Sequence, residues 1–378
     1  MSQNIPLINV SEQNKVLRKE IDAALANVID NSAFILGQEV NKFEEEFKAY
    51  TEVKHAISCA SGTDALLLPL MSMEVGPGDE VLVPSFTFYA TAGSVARLGA
   101  KPIFVDSDAT YNMDLEDLAR KITPKTKAII PVHLFGQMVD MEKLQSIVRA
   151  ASKPGKKIFI LEDAAQSMGA AFKGKQTGLW GDYAAYSFYP TKNLGAMGDA
   201  GMMAALDDDG NDRLRMIRVH GSKQRYYHEL IGVNSRLDSM QAAILRIKLR
   251  HLKSYEAART QHAKTYYASF ASAGLGEKVQ MPVDGKDRYN VWNQFTIRAQ
   301  KRDQLRTYLS EQGIGSEIYY PLPMHEQKAF AQFGCKKGDL PFCEKLEQEV
   351  LSLPMFPELK KEQAERVVAA IFDFYKKH

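Results

Sequence analysis

The chain is poor in the features that mark secreted, metal-binding or membrane proteins. Its 378 residues hold three cysteines, Cys59, Cys335 and Cys343, spaced neither as a zinc-ligand set nor as a C-x-x-C pair. An odd, sparse set of thiols fits a reducing compartment rather than a disulfide-stapled fold. No apolar run approaches the roughly 20 residues that span a bilayer. The opening MSQNIPLINVSEQNK is polar and lacks the apolar core of a secretion signal. An excess of one charge is missing too, with 48 Lys and Arg against 46 Asp and Glu, a formal net charge of +2. Without an arginine-rich block or a basic helix face, nucleic acid is not an expected partner. The expectation is a cytoplasmic protein with no metal, no membrane partner and no nucleic-acid partner.

What remains is an ordinary globular balance, 45% hydrophobic and 25% charged, in a chain long enough for one large domain and a smaller one. Seven short apolar runs recur between residues 55 and 206: HAISCAS, EVLVPSFTF, KPIFVDS, AIIPVHL, KKIFILEDAA, YAAYSFY and GMMAAL. Their length, β-branched content and flanking Gly or Pro predict buried strands. Amphipathic segments such as LEDLARKI and MEKLQSIVRAA lie between several of them, and this alternation predicts an α/β domain with a largely parallel sheet. From Ser235 the stretch SRLDSMQAAILRIKLRHLKSYEAARTQHAKTYYASFASA has the periodicity of one long helix. Strand-like VWNQFTIRA and GSEIYYPL and a closing helix near EQAERVVAAIFDFYKK follow. The expected division is a large domain over 1–254, including the N-terminal segment, and a smaller C-terminal α/β domain over 255–378.

Three segments carry possible chemistry. In A-S-G-T-D-A-L, Gly62 and Thr63 lie where a helix begins, which reads either as an anion site suited to phosphate or as a plain capped start. Pro69 falls inside that helix and should kink it. In I-F-I-L-E-D-A-A-Q-S, Asp163 ends an apolar strand and Gln166 follows. A carboxylate there is placed either for a ligand or as a helix N-cap. In Y-S-F-Y-P-T-K-N-L-G-A-M-G-D-A-G, Ser187 precedes a solitary Lys192. That lysine is either a surface loop residue or, in partly apolar surroundings, an amine of lowered pKa able to attack a carbonyl. Two look-alikes fail. G-A-A-F-K-G-K-Q puts Gln176 where a phosphate loop needs a hydroxyl and reads as a hairpin turn, and G-A-M-G-D-A-G leads into a strand rather than a helix. A phosphate turn, the aromatic P-S-F-T-F-Y, a strand-end Asp and a lone Lys, in that order on one α/β scaffold, meet the needs of pyridoxal phosphate.

With these segments the chain resembles the DegT-type nucleotide-sugar aminotransferases, fold-type I pyridoxal-phosphate enzymes, over nearly its whole length. The resemblance rests on S-G-T-D-A-L, G-D-E-V-L-V-P-S-F-T-F, E-D-A-A-Q-S, S-F-Y-P-T-K-N and G-V-N-S-R-L-D-S-M-Q-A-A. It implies a large domain with a mixed, mostly parallel seven-stranded sheet between helices. It implies that Lys192 carries the cofactor and moves the substrate proton, and that Asp163 pairs with the pyridine nitrogen. Gln166 would lie near the ring hydroxyl, Phe88 would stack on the ring, and Gly62, Thr63 and Ser187 would hold the phosphate. Asn234 would complete that phosphate site from the neighbouring subunit of a homodimer. Related dehydratases carry a histidine at the lysine position, so Lys192 argues for transamination through pyridoxamine phosphate, with L-glutamate as donor.

The stretch R-V-H-G-S-K-Q-R-Y-Y-H-E-L-I-G-V-N-S-R-L-D is most similar to members aminating carbon 3 of UDP-2-acetamido-2-deoxy-3-keto-glucuronic acid, for surface polysaccharides such as the O-antigen of lipopolysaccharide. In that pattern Arg236 meets a carboxylate, of sugar or donor; its alternative is a structural pair with Asp238. Tyr319 departs from the histidine of uronate-specific members and keeps a dTDP-3-keto-6-deoxyhexose open. His325 either faces sugar or nucleotide or is a loop histidine. A non-catalytic DegT-like regulator or sensor on the same fold is the reading from another class.

Overall fold

The computed structural model describes residues 4–378; the first three residues of the polar N-terminal stretch lie outside it. All seven apolar runs contribute to one sheet: β1 (His55–Cys59), β2 (Glu80–Pro84), β3 (Lys101–Val105), β4 (Thr126–Ile129), β5 (Phe159–Asp163), β6 (Tyr183–Ser187) and β7 (Gly201–Ala205). Their order is β1-β7-β6-β5-β4-β2-β3. Strands β2 to β6 run parallel, while β7 is antiparallel to both β1 and β6. Covered on both faces, these strands read as unbroken apolar runs rather than as an alternation.

Successive side chains point to opposite faces, so alternate residues enter different cores. Ile57, Leu161 and Ala185 pack with α3 (Gly62–Ser72) and α4 (Tyr89–Arg97), while Ala56, Ala184 and Tyr186 face α2 (Gln38–Thr51). Phe47 meets Tyr186 edge-on at 5.0 Å and Phe43 meets Phe188 at 5.4 Å. Under this face Glu44 takes the Arg218 guanidinium at 2.7 Å and the amide and hydroxyl of Ser58 at 2.9 and 2.8 Å. Burial acts to raise the Glu44 pKa, but the two arginines and Ser58 outweigh it and hold the group below the usual carboxylate range. Helix α3 continues through Pro69 to Ser72, with the Pro69 carbonyl still accepting the Met73 amide at 2.9 Å.

The single long helix expected from Ser235 is two helices, α8 (Ser239–Leu249) and α9 (Leu252–Ala273). The ladder tightens at His251, whose amide reaches back only three residues to Lys248, and its carbonyl opens the second helix by taking the amides of Ser254 and Tyr255 together with the Ser254 hydroxyl. The three-residue spacing interrupts the α-helical register there. Helix α1 (Val10–Asp30) packs Leu17 and Ile21 on Ile244 and Ile247 of α8. A second core gathers Tyr266 of α9, Phe295, Ile297, Leu351, Leu353 and the C-terminal helix residue Ile371. Ile5 belongs to it as well, and the carbonyl of Leu7 takes the Met355 amide, so the first described residues pack with the C-terminal unit. The G-A-A-F-K-G-K-Q stretch is a hairpin, with Ala171–Phe172 paired to Lys175–Gln176 and positive φ at Lys173 and Gly174, as a two-residue turn requires. Among the described residues no helix is long and apolar enough to cross a membrane.

Candidate active site

A cavity of about 770 Å³ opens at the carboxyl ends of the parallel strands, where α/β sheets place their ligands. Each wall follows from a local turn. Strand β5 ends on Asp163, which is 4% exposed. One carboxylate oxygen accepts the Thr91 hydroxyl at 2.9 Å and the other the Ala165 amide at 3.2 Å. The single Thr91 proton is committed to that carboxylate, so the Thr87 hydroxyl donates to Thr91 at 3.1 Å. No helix follows Asp163, which removes the N-cap alternative. Burial pushes the Asp163 pKa up, while Thr91, Ala165 and the Lys192 charge pull it down.

Lys192 follows strand β6, on a loop whose backbone it closes by donating to the Tyr189 carbonyl at 2.8 Å. Burial lowers its pKa from 10.5 to about 8, against the Asp163 carboxylate, which acts to raise it. The next residue, Asn193, donates to the Val291 carbonyl at 3.0 Å and accepts from Asn293 at 2.7 Å. These bonds tie the lysine loop to the segment entering the second unit.

The anion cradle is the start of α3. Ser61 caps it, its side chain accepting the Asp64 amide at 3.1 Å, and no hydrogen bond among the described residues takes the amides of Gly62 and Thr63. Free amides at a helix start favour an anion. Gly62 is required there by close approach, because a Cβ would meet the Ser187 side chain at 2.5 Å. Gly201 is held likewise, with the Ser61 carbonyl 2.3 Å from where its Cβ would stand. Gln166 accepts the Phe135 amide at 2.7 Å and donates to the Tyr320 hydroxyl at 3.0 Å. The Tyr320 ring lies 6.3 Å from that of Phe88.

Lys192, Asp163, Gly62, Thr63, Phe88, Gln166, Ser187 and Tyr319 therefore line one cavity. Asn234, Arg236 and His325 do not. Asn234 is exposed, on a backbone bridged to Val219. Arg236 is half-buried and, among the described residues, makes no ion pair or hydrogen bond, so the alternative pairing with Asp238 is not formed. His325 is buried beneath the wall. Its Nδ1 meets the Ser85 hydroxyl at 2.7 Å, and its Nε2 shares a cluster with Glu326 and Glu344. The Met324 amide donates to the Ser85 carbonyl at 2.7 Å, which draws this segment under the end of β2 rather than into the cavity. Sequence reasoning missed Thr91, Tyr320, Asp199 and Glu317. The Thr87–Thr91 spacing of one helical turn was a usable signal for the first. Tyr320 reaches Gln166 across 154 positions of chain, and nothing local announces it.

Pyridoxal phosphate fits this cavity by the chemistry of its donors. A carboxylate with its orientation fixed from behind would suit a protonated ring nitrogen, free helix-start amides would suit a phosphate, and an amine of lowered pKa stands on the same cavity wall. These are the fittings of a fold-type I aminotransferase. The chain belongs to the DegT/DnrJ/EryC1/StrS aminotransferase family, which it matches over residues 15–372. It is 51% identical to a pleiotropic regulatory protein of Geobacillus stearothermophilus, over 99% of each chain. It is 44% identical to the UDP-N-acetyl-3-dehydro-alpha-D-glucosamine 3-aminotransferase of Acidithiobacillus ferrooxidans, over 98% of each. Among solved structures it superimposes on S. venezuelae DesV in complex with a ketimine intermediate, with a TM-score of 0.94, 42% identity and 99% of both chains covered.

Proposed function

We propose that this protein moves an amino group from L-glutamate to carbon 3 of a nucleotide-linked ketosugar, as a cytoplasmic homodimer supplying surface polysaccharide synthesis. The observation that carries this reading is the facing pair of Lys192 and Asp163, both on the wall of one cavity. The cofactor supplies the electron sink and carries the amino group between the two half-reactions. Asp163, held by Thr91 and Ala165, keeps a proton on the ring nitrogen. Lys192, with its pKa down at about 8, is neutral near physiological pH far more often than an ordinary lysine and takes and returns the proton of the reacting carbon. The amides of Gly62 and Thr63, with Ser187, bind the phosphate, and Asn234 joins them from the second subunit.

The Acidithiobacillus relative, named for a UDP-linked 3-ketosugar, supports carbon 3. Our first candidate sugar is UDP-2-acetamido-2-deoxy-3-keto-glucuronic acid, on the strength of the Arg236 guanidinium, which has no ion pair among the described residues. The second is a dTDP-3-keto-6-deoxyhexose, for which the neutral Tyr319 on the cavity wall speaks.

The name of the Geobacillus relative favours a second reading, a regulator that binds cofactor or sugar without turnover. A complete Thr87–Thr91–Asp163 chain facing an amine of lowered pKa favours the enzyme. Adding L-glutamate to the pyridoxal form separates the two. An enzyme bleaches its visible band and releases one 2-oxoglutarate per site, whereas an unchanged spectrum would leave only the regulator.

A further inference from the structure

Beneath the cavity wall the fold gathers a set of donors that the proposed chemistry does not use. His325, Glu326 and Glu344 bring one imidazole nitrogen and two carboxylate oxygens within 4.8 Å of one another. His325 Nε2 stands 3.4 Å from Glu344 Oε1 and 4.0 Å from Glu326 Oε1. Cysteine spacing gave the expectation of no metal. Here the donors are nitrogen and oxygen, and the fold joins His325 to Glu344 across 19 positions of chain.

The imidazole is buried and its ring is fixed. The His325 side chain has no exposure, and its Nδ1 meets the Ser85 hydroxyl at 2.7 Å. The same hydroxyl oxygen accepts the His325 amide at 3.2 Å, so one residue just past the end of β2 holds both ring and backbone. A partner on one ring nitrogen, with the other nitrogen turned towards carboxylates, is how a metal-binding imidazole is oriented.

The carboxylates are held from outside and left short of donors inside. Glu344 Oε1 accepts the Gly338 amide at 2.6 Å, and Glu326 Oε2 takes the Lys337 ammonium at 3.1 Å. The other Glu326 oxygen, Oε1, is buried and has no hydrogen-bond partner among the described residues. Glu347, one turn on from Glu344 in the helix Pro341–Glu349, feels the charges of Glu326 and Glu344, and its Oε2 is a second such oxygen. Two cations act on this group, Lys337 and Arg302. The Lys337 side chain is 66% exposed, and Arg302 is turned to the carbonyls of Val350 and Glu347. A buried carboxylate oxygen without a donor carries a desolvation cost that a cation at the same point removes.

We propose that His325 Nε2 and the carboxylates of Glu326 and Glu344 ligate one divalent transition-metal ion, Zn²⁺ by the chemistry of the donors, with water in the remaining position. An imidazole joined by carboxylates suits zinc, whereas magnesium and calcium take oxygen alone. Around a tetrahedral zinc, nitrogen and oxygen donors stand roughly 3.3–3.6 Å apart. The His325–Glu344 pair meets that spacing at 3.4 Å, and the Glu326 oxygen, at 4.0 Å, lies slightly outside it. The ion ties the turn Met324–Glu326 to the helix Pro341–Glu349. That turn closely follows Tyr319 and Tyr320 of the cavity wall, so the site is a brace beneath the wall, and it depends on neither cofactor nor sugar.

The test uses the full chain loaded with pyridoxal phosphate and stripped of metal with EDTA, with Zn²⁺ and Mg²⁺ as probes. Titration calorimetry should show one Zn²⁺ per chain, bound about a hundredfold or more tightly than Mg²⁺. Glu326→Gln should weaken Zn²⁺ binding about tenfold or more, and Ser85→Ala, which frees the ring, about tenfold. Zn²⁺ should raise the Tm of the wild type and leave that of Glu326→Gln nearly unchanged. Absence of Zn²⁺ binding by the wild type would overturn the proposal. Equal binding by wild type and Glu326→Gln would do the same, since the ion would then sit on the cofactor or on another surface group. A preference for Mg²⁺ would mean that the imidazole takes no part, and the assignment fails. Should Glu326→Gln not fold, Glu344→Gln and Ser85→Ala carry the same comparison.

Discussion

At the floor of the cavity Asp163 is 4% exposed, and each of its carboxylate oxygens accepts a hydrogen bond from a residue fixed by the sheet or by α4. At the edge around Asn234, residues 223–229 are exposed, and Arg236 has no polar partner among the described residues. The floor is finished within one chain and the edge is not. Chemistry that needs a buried, desolvated amine has to be built on rigid strand ends. Recognition of a large, charged, exposed ligand is left to loops and, on our proposal, to a second copy. Substitutions at the floor should therefore change the rate for every substrate alike, and those at the edge should change which substrate is preferred.

The largest effect is expected at Lys192. Lys192→Ala should lower turnover on the order of 10⁴-fold or more, because the nucleophile and the proton carrier are lost together. The test of the floor is that this loss is the same for any sugar offered. The lysine also gives a pH signature. Its folded pKa of about 8 lies below its ordinary 10.5, so between those values the unfolded chain binds a proton that the folded chain does not. Stability of the cofactor-free protein should therefore rise with pH across that window, and denaturant unfolding of Lys192→Met should lose the rise. Capture of pyridoxal phosphate should likewise speed up through about pH 8 and then level off, below the range of an exposed lysine.

Next comes Asp163. Asp163→Asn keeps the shape and removes the charge, and a loss of about 10²–10³-fold in both half-reactions is expected from breaking a buried charged contact. Thr91→Val should cost roughly tenfold, the worth of one hydrogen bond to a charged group. It should also change the pH dependence of the cofactor spectrum, which a merely structural threonine would leave alone. A loss confined to one sugar at either position would mean that the floor also selects substrate and would end the division drawn above.

The division also governs what the sequence made legible. Strand-end chemistry is local: Asp163 follows an apolar run and Lys192 another, so both could be placed from their own segments. The same apolar runs made the sheet readable. The break at His251 was hidden because the apolar periodicity of α8 and α9 runs across it, and it consists only of one three-residue bond from the His251 amide to Lys248. For His325 the sequence left open a residue facing the sugar or nucleotide and a loop histidine; tertiary contact with Ser85 carries it into the core instead. Tyr320 and Glu317 reach the cavity from the C-terminal third of the chain, with no spacing or motif to announce them.

The smallest effect, and the one that most sharpens the comparison, belongs to Arg236. Its guanidinium has no ion pair among the described residues, the cavity's own wall offers a carboxylate no cation but Lys192, and a planar cation suits the carboxylates of L-glutamate and a uronate. Arg236→Ala should therefore raise the KM for L-glutamate about tenfold with little change in kcat, as expected when ground-state and transition-state binding are lost equally. Measured separately on the pyridoxamine form, the variant should lose a similar factor for the 3-keto-glucuronate and none for a 3-keto-6-deoxyhexose, which has no carboxylate to anchor. Equal losses on both sugars would make Arg236 a scaffold residue of the edge. Retained activity on the uronate would remove the reason for placing that sugar first and would leave the neutral Tyr319 wall as the guide to the substrate.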